Sequence, residues 1–226
     1  MPYPLQSSRV RTHRTHARAA ALALALVAAS ASACGGQAGA PATSPAPAPR
    51  PAQSVGPMDI SGQRVLILPV QSVSGTGGTR ADATREVVFA LGERNDRVHW
   101  VSPDQLRSAL QRSPGYADDP DVLPSDAFKH HRERYIVEPL GGLLRRYSAL
   151  MDTRMVLIPQ SAQWIPNADG SAGGVIRMAA VVIDTRTANV VWYGEADGQP
   201  RPAPDAGALA TAAASLAAHL LVPGGS

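Results

Sequence analysis

Residues 175–198 read VIRMAAVVIDTRTANVVWYGEADG. Val175–Asp184 and Val190–Ala196 are rich in β-branched and aromatic residues. Between them lies the polar stretch Asp184-Thr185-Arg186-Thr187-Ala188-Asn189. Two such runs around a short turn predict an antiparallel hairpin. The cluster Asn167–Gly174 just before it is a turn, and Met155–Ile158 before that is a third apolar strand, continuing less regularly to Trp164.

Working outward, helical patterns flank the strands. Gly207–Leu221 places Leu209, Ala213, Leu216 and Leu220 on one side of a closing helix. Leu140, Leu143, Leu144, Tyr147, Leu150 and Met151 fall at helical spacings, so this helix lays one face on a sheet. Pro139 begins it, and residues 125–138 before it read as a separate, polar helix. Residues 114–124 are acidic and proline-bearing, a surface loop. Ser102-Pro103-Asp104-Gln105 is a helix start: the Ser102 hydroxyl can accept from the N–H of Gln105, whose side chain can reach back. Leu106 and Leu110 then face inward, and Ser113-Pro114-Gly115 ends the turn of helix. Val98–Val101 reads as a strand, Ala81–Glu93 as a helix with Val87, Val88 and Leu91 on one face, and Arg64–Val70 (RVLILPV) as a buried central strand.

The order β-α-β-α-(α)-α-β-β-β-α predicts an α/β domain of mixed α+β character. Early helices act as crossovers and the late hairpin adds antiparallel strands, giving a mixed five-stranded sheet packed by helices. The domain spans 58–222, and 223–226 form a tail. A chain near that length buries about 70% of its unfolded surface, enough for a core.

VVIDTRTANVVWYGEADG (181–198) resembles the strand–turn–strand of bacterial lipoproteins related to the TolB amino-terminal domain. That group includes the curli-secretion lipoprotein and the activators of penicillin-binding proteins. Its hairpin carries an Asp-x-x-Thr-Gly-x-x-x-Trp type pattern. Asp184, Thr187 and Trp192 match, while Ala188 stands where glycine is usual. RVLILPV, VHWVSPDQLRSAL and MVLIPQSAQW follow in the same order. The resemblance implies an α/β sandwich, non-enzymatic, working in the cell envelope, and carries over no functional residue. The long apolar hairpins of a secretion channel are not evident.

The first residues are an address. The chain has 226 residues, with 21 basic and 18 acidic side chains and a formal charge of +3. Residues 1–33 hold Arg9, Arg11, Arg14 and Arg18 and no acid; 21 less these four leaves 17 basic against 18 acidic, a net of −1. A near-neutral body argues against nucleic acid, whose binding rests on neutralised phosphates. Residues 19–33, AAALALALVAASASA, are small or apolar, and with the arginines before them they form a signal peptide (1–33). The run is shorter than the roughly 20 apolar residues of a spanning helix. Ala31-Ser32-Ala33-Cys34-Gly35-Gly36 resembles a lipobox, although Ala31 stands where leucine is usual. The resemblance implies a thioether-linked diacylglycerol on Cys34, which is the one cysteine. Ala31-x-Ala33 also suits ordinary cleavage, which would leave a soluble periplasmic protein. Gly35 and Gly36 give no acidic retention signal, so the outer membrane is expected over the inner. Residues 34–57 continue as a disordered tether with Pro41, Pro45, Pro47, Pro49, Pro51 and Pro57. In polyproline II its residues 37–57 would reach up to roughly 60 Å, at about 3.1 Å per residue.

The chemistry-bearing residues form no catalytic constellation, and no metal or cofactor site is assigned. Ser74–Thr79 lies between a strand and a helix but lacks the P-loop ending, which leaves a flexible turn, or a weak anion site assisted by Arg80. His130-His131-x-Glu133 has the wrong spacing for one ion on one helix face. His99 and His219 stand alone. Asp169-Gly170-Ser171-Ala172-Gly173 misses the nucleophile-elbow pattern and lies in a turn. Asp118 and Asp119 lie in a polar loop. Trp100, Trp164 and Trp192 fall in or beside strands; they are core and rim residues, and partner-docking residues if two are exposed on one patch. The expected function is a lipid-anchored envelope protein, held to membrane lipid through Cys34, that binds another envelope protein or peptidoglycan. The alternatives are an exported hydrolase with an unrecognised site, or a subunit of an oligomeric assembly.

Overall fold

The computed structural model describes residues 58–94, 97–124 and 135–221, all of which lie in one unit of the chain. The signal peptide, Cys34, the tether, the His130-His131-x-Glu133 stretch and the tail lie outside these residues.

The hairpin forms where the sequence places it. β5 (Gly174–Asp184) and β6 (Asn189–Asp197) pair antiparallel, and β5 pairs antiparallel with β4 (Met155–Pro166) on its other side. β1 (Arg64–Ile67) lies parallel to β4 and to β3 (His99–Val101). The order is β3-β1-β4-β5-β6, a mixed sheet. A sixth strand, β2 (Ser72–Ser74), pairs parallel with the far end of β4, on the edge that β1 occupies lower down. Sequence reading missed it because three residues of SVS carry no usable period.

The helices flank both faces. α1 (Arg80–Arg94) and α4 (Ala206–Leu220) bury Ala83, Val87, Leu91, Leu209, Ala213 and Leu216 against Val65, Ile67, Leu157, Ile176, Met178 and Trp192. α2 (Pro103–Arg112) and α3 (Leu140–Met151) bury Leu106, Leu140, Leu143, Leu144 and Tyr147 against Leu66, Val156, Ile158, Val181 and Ile183. Each buried Val, Leu, Ile or Met among these stabilises the fold by about 1.5–3 kcal/mol through removal from water. α4 is mostly alanine on its buried face, so its backbone approaches the sheet closely. A Cβ on Gly198, just after β6, would sit 2.8 Å from Thr211 Oγ1 and 2.9 Å from the Ala212 nitrogen.

The caps follow from local chemistry. Ser102 Oγ accepts from the Gln105 N–H and Gln105 Oε1 accepts from the Ser102 N–H, at 3.3 and 2.8 Å, completing the capping box. Asp205 Oδ1 accepts from the Ala208 N–H at 2.7 Å and caps α4. At α3 the cap comes from outside the helix: Glu138 Oε2 accepts from the Gly142 N–H at 2.8 Å, while its other oxygen pairs with Arg145. Both contacts hold the Glu138 carboxyl below the usual carboxylate range, Arg145 first.

The expected polar helix over 125–138 fails where it can be seen. Tyr135 bridges Asn189 antiparallel, and the Ile136 N–H donates to the Ala188 carbonyl at 2.8 Å. Backbone pairing to the hairpin turn takes the place of the helical bonds there. At the start of the described chain, Met58 bridges Leu221 in parallel, its N–H bonded to the Leu220 carbonyl at 2.8 Å.

Candidate functional site

The three tryptophans do not make an exposed patch. Trp192 is 1% exposed and belongs to the α1–α4 core, so it cannot dock a partner. Its ring lies over Gly194, and the residue reads as core because strand β6 is covered there by an alanine-rich helix. Trp100 and Trp164 are half-buried and pack on the same core cluster from β3 and β4.

The other groups singled out in the sequence serve the fold. The weak anion site is filled from within: the Thr79 N–H donates to Asp82 Oδ2 at 2.9 Å, and the Asp82 N–H donates to Thr79 Oγ1 at 3.2 Å. Arg80 donates to the carbonyls of Gln71 and Asp121 rather than facing a ligand. Asp169 Oδ1 accepts from both the N–H and the hydroxyl of Ser171, a local turn. The Asp118 carbonyl accepts from Tyr147, and Asp119 Oδ1 from the Asp121 N–H. Asp152 is the left-handed residue that ends α3. His99 is exposed on β3, and His219 Nδ1 lies 3.1 Å from the Glu195 carbonyl oxygen.

A different surface stands out, one that sequence reading missed. The α2–α3 layer packs on only part of its sheet face, over Val156, Ile158, Val181, Ile183 and Tyr193. Farther along, Val73, Ala162, Met178 and Ala196 point into the opposite core. By strand alternation their neighbours share the side that no described helix covers. One rung runs Ser74, Gln163, Arg177, Asp197 across β2, β4, β5 and β6; the next runs Ser72, Ser161, Ala179, Glu195. Ser72, Ser74, Gln163, Arg177 and Asp197 are exposed.

Two irregularities set this arrangement. The β4–β5 register shifts between Pro159 and Ser161, leaving Gln160 as an extra residue, and the β5–β6 register shifts between Val182 and Ile183, leaving Val191 extra. Strict alternation from Ile158 would turn Trp164 out of the core and Gln163 into it. The shift at Gln160 restores the opposite assignment, since one residue of slip exchanges the faces.

The polar rung is pre-ordered. Arg177 donates from Nε and Nη2 to the two carboxylate oxygens of Asp197, at 2.7 and 2.8 Å. That fork holds the Asp197 carboxyl below the usual range, with Arg177 the main cause and His219 a lesser one. Tyr193 donates its hydroxyl to Glu195, and burial first, then Glu195, pushes the phenol upward.

No family model matches the sequence, and no curated protein matches it. Several solved structures are similar to the chain. The LpoB C-terminal domain from Escherichia coli is 18% identical with a TM-score of 0.42, over 62% of this chain and 84% of that one. The PelC dodecamer from Paraburkholderia phytofirmans is 13% identical at 0.43, over 75% and 96%. Lipoprotein GNA1162 from Neisseria meningitidis is 12% identical at 0.37, over 65% and 90%. The likeness is one of chain path and assigns no residue a role. Among the described residues, no helix is long and apolar enough to cross a membrane, and no group of three or more His, Cys, Asp or Glu is placed to hold a metal.

Proposed function

We propose that the protein is a lipid-anchored accessory factor of the bacterial cell envelope, non-catalytic, whose domain binds an envelope protein or the cell-wall polymer. One observation carries this reading. Ala31-Ser32-Ala33-Cys34-Gly35 follows directly on the uncharged run 19–33, so the one sulfur in a cysteine of the chain stands at the cleavage point. Two or three acyl chains there would hold the protein to a leaflet, where a single chain binds only marginally. The proline-rich residues after it supply a spacer to the α/β domain. The non-catalytic part is supported by how the polar groups are used: Thr79, Asp82, Asp169 and Ser171 are engaged in caps and turns. The anchor faces the periplasm, on the outer membrane.

Metabolic labelling with a palmitate analogue tests the anchor. Label is expected on the wild type and absent from Cys34→Ala, which also moves to the soluble fraction. An unlabelled wild type, or label retained by the variant, refutes it.

A further inference from the structure

Residues 117–123 follow α2 and run back over the α2–α3 layer. Among the described residues, no backbone-to-backbone bond ties them to a strand or a helix. Their bonded N–H groups turn in on the loop itself: Asp121 donates to Asp119 Oδ1 at 2.9 Å and Val122 to the Asp119 carbonyl at 3.2 Å. The ties to the fold come instead from side chains on four separate pieces of chain. Tyr147 donates to the Asp118 carbonyl at 2.7 Å and Arg80 Nη1 to the Asp121 carbonyl at 2.9 Å. Arg107 forks onto the two Asp121 carboxylate oxygens, from Nε at 3.2 Å and Nη2 at 3.0 Å. Gln71 Nε2 reaches the Pro120 carbonyl at a long 3.4 Å, being bonded to the Pro69 carbonyl at 2.6 Å.

Two apolar pegs complete the seat. Pro120 is buried, and Leu123 lies in the α2–α3 core with Leu106, Leu143 and Tyr147, while Val122 between the pegs is 74% exposed. Donors that meet carbonyls, an arginine fork on a carboxylate and pockets for spaced side chains are the means by which a protein holds another chain's extended peptide. Segments with few backbone bonds to the core open at the lowest free energies. The present fit is also incomplete. Gln160 buries Oε1 with no partner, and Gln71, which reaches Pro120, is bonded through its N–H to Pro159 next to it. The floor beside the seat keeps an acceptor that its occupant leaves unused.

We propose that residues 117–123 are an internal stand-in for a partner's peptide, a strap that lifts as a unit. The seat then takes an extended acidic segment carrying a proline and an aliphatic residue. Its aspartate meets Arg107, its carbonyls meet Tyr147 and Arg80, and its aliphatic side chain enters the α2–α3 core. Occupation by the strap lowers the apparent affinity for the partner in proportion to the time the seat is filled. This deepens the accessory reading above and rests on it only for the partner's being an envelope protein. The exchange needs no anchor, so the two fail separately.

The test is a titration of the full chain with a fluorescent synthetic peptide, Tyr-Ala-Asp-Asp-Pro-Asp-Val-Leu-Pro, a copy of residues 116–124, read by anisotropy. Asp121→Ala frees the Arg107 fork and is expected to bind the peptide saturably, at least tenfold more tightly than the wild type. Adding Arg107→Ala should remove that gain. Hydrogen exchange gives a second reading. In the wild type the amides of 117–123 should exchange at least tenfold faster than those of α2 and α3, and Tyr147→Phe should speed the strap further with α2 and α3 unchanged. Three results overturn the proposal: no saturable binding by an Asp121→Ala chain whose thermal midpoint shows it folded, equal affinity with and without Arg107, or strap amides that exchange only together with α3.

Discussion

Gly194 lies beneath the indole of Trp192, so close that a Cβ at position 194 would stand 2.4 Å from Cζ2 of the ring. The two residues are on the same face of β6, and the ring is laid flat along the strand under α4. Gly194→Ala therefore forces the indole or the helix to move. Overpacking of this kind costs about 1–3 kcal/mol. Urea denaturation should show a lower midpoint at unchanged slope, the shift multiplied by that slope giving the loss; an unaltered midpoint would mean the ring has room to rotate.

Ala188 sits at φ 56° in the hairpin turn, the position where the resembled hairpin carries glycine. A left-handed alanine costs roughly 1–2 kcal/mol that glycine does not incur, partly offset by the entropy glycine loses on folding. Ala188→Gly is expected to stabilise the domain by about 0.5–1 kcal/mol. Thermal or chemical unfolding measures it, and a destabilised variant would refute the strain.

Asp184 roots the hairpin. Its buried carboxylate accepts from Arg154 Nε at 3.0 Å and from the Arg186 N–H at 3.0 Å, while Thr185 bonds the Arg154 carbonyl. Arg154, then the Arg186 N–H, hold the carboxyl below its usual value, against the opposing effect of burial. A carboxyl lowered on folding contributes stability that is complete above the unfolded value of about 3.9 and is lost as pH falls through the folded one. Asp184→Asn should cost about 1–3 kcal/mol at neutral pH. It should also make stability fall less steeply below pH 4. Parallel acid limbs in wild type and variant would sink this account.

Ser102 caps α2 through its hydroxyl. Ser102→Ala is expected to cost about 1 kcal/mol, and Gln105→Ala less, because a surface glutamine returns only one bond to the cap. A double-mutant cycle that finds the two effects additive would contradict the reciprocal box.

Much of this fold is legible in the chain because its signals are local. Ser102-Pro103-Asp104-Gln105 declares its cap in four residues, and the β5–β6 hairpin declares itself in two apolar runs around a polar turn. The helices α1, α3 and α4 carry an apolar stripe of the right period. The failures share a physical cause. Tyr135 and Ile136 take their backbone pairing from the distant turn at Ala188 and Asn189, a partner that no window around them contains. The phase of the β4 end depends on one extra residue at Gln160, so counting by twos from Ile158 misplaces Gln163 and Trp164. Hence the polar half-face was invisible in one dimension, whereas the core reading of Trp192 needed only its place in an apolar strand.

Met58 is paired to Leu221, so the first and last described strands of backbone touch. A covalent linker of a few residues joining those two ends would leave every sheet partner in place. New ends opened in the turn at 167–173 would then yield a permuted chain with the same architecture, because nothing in the layering depends on where the polymer is first entered.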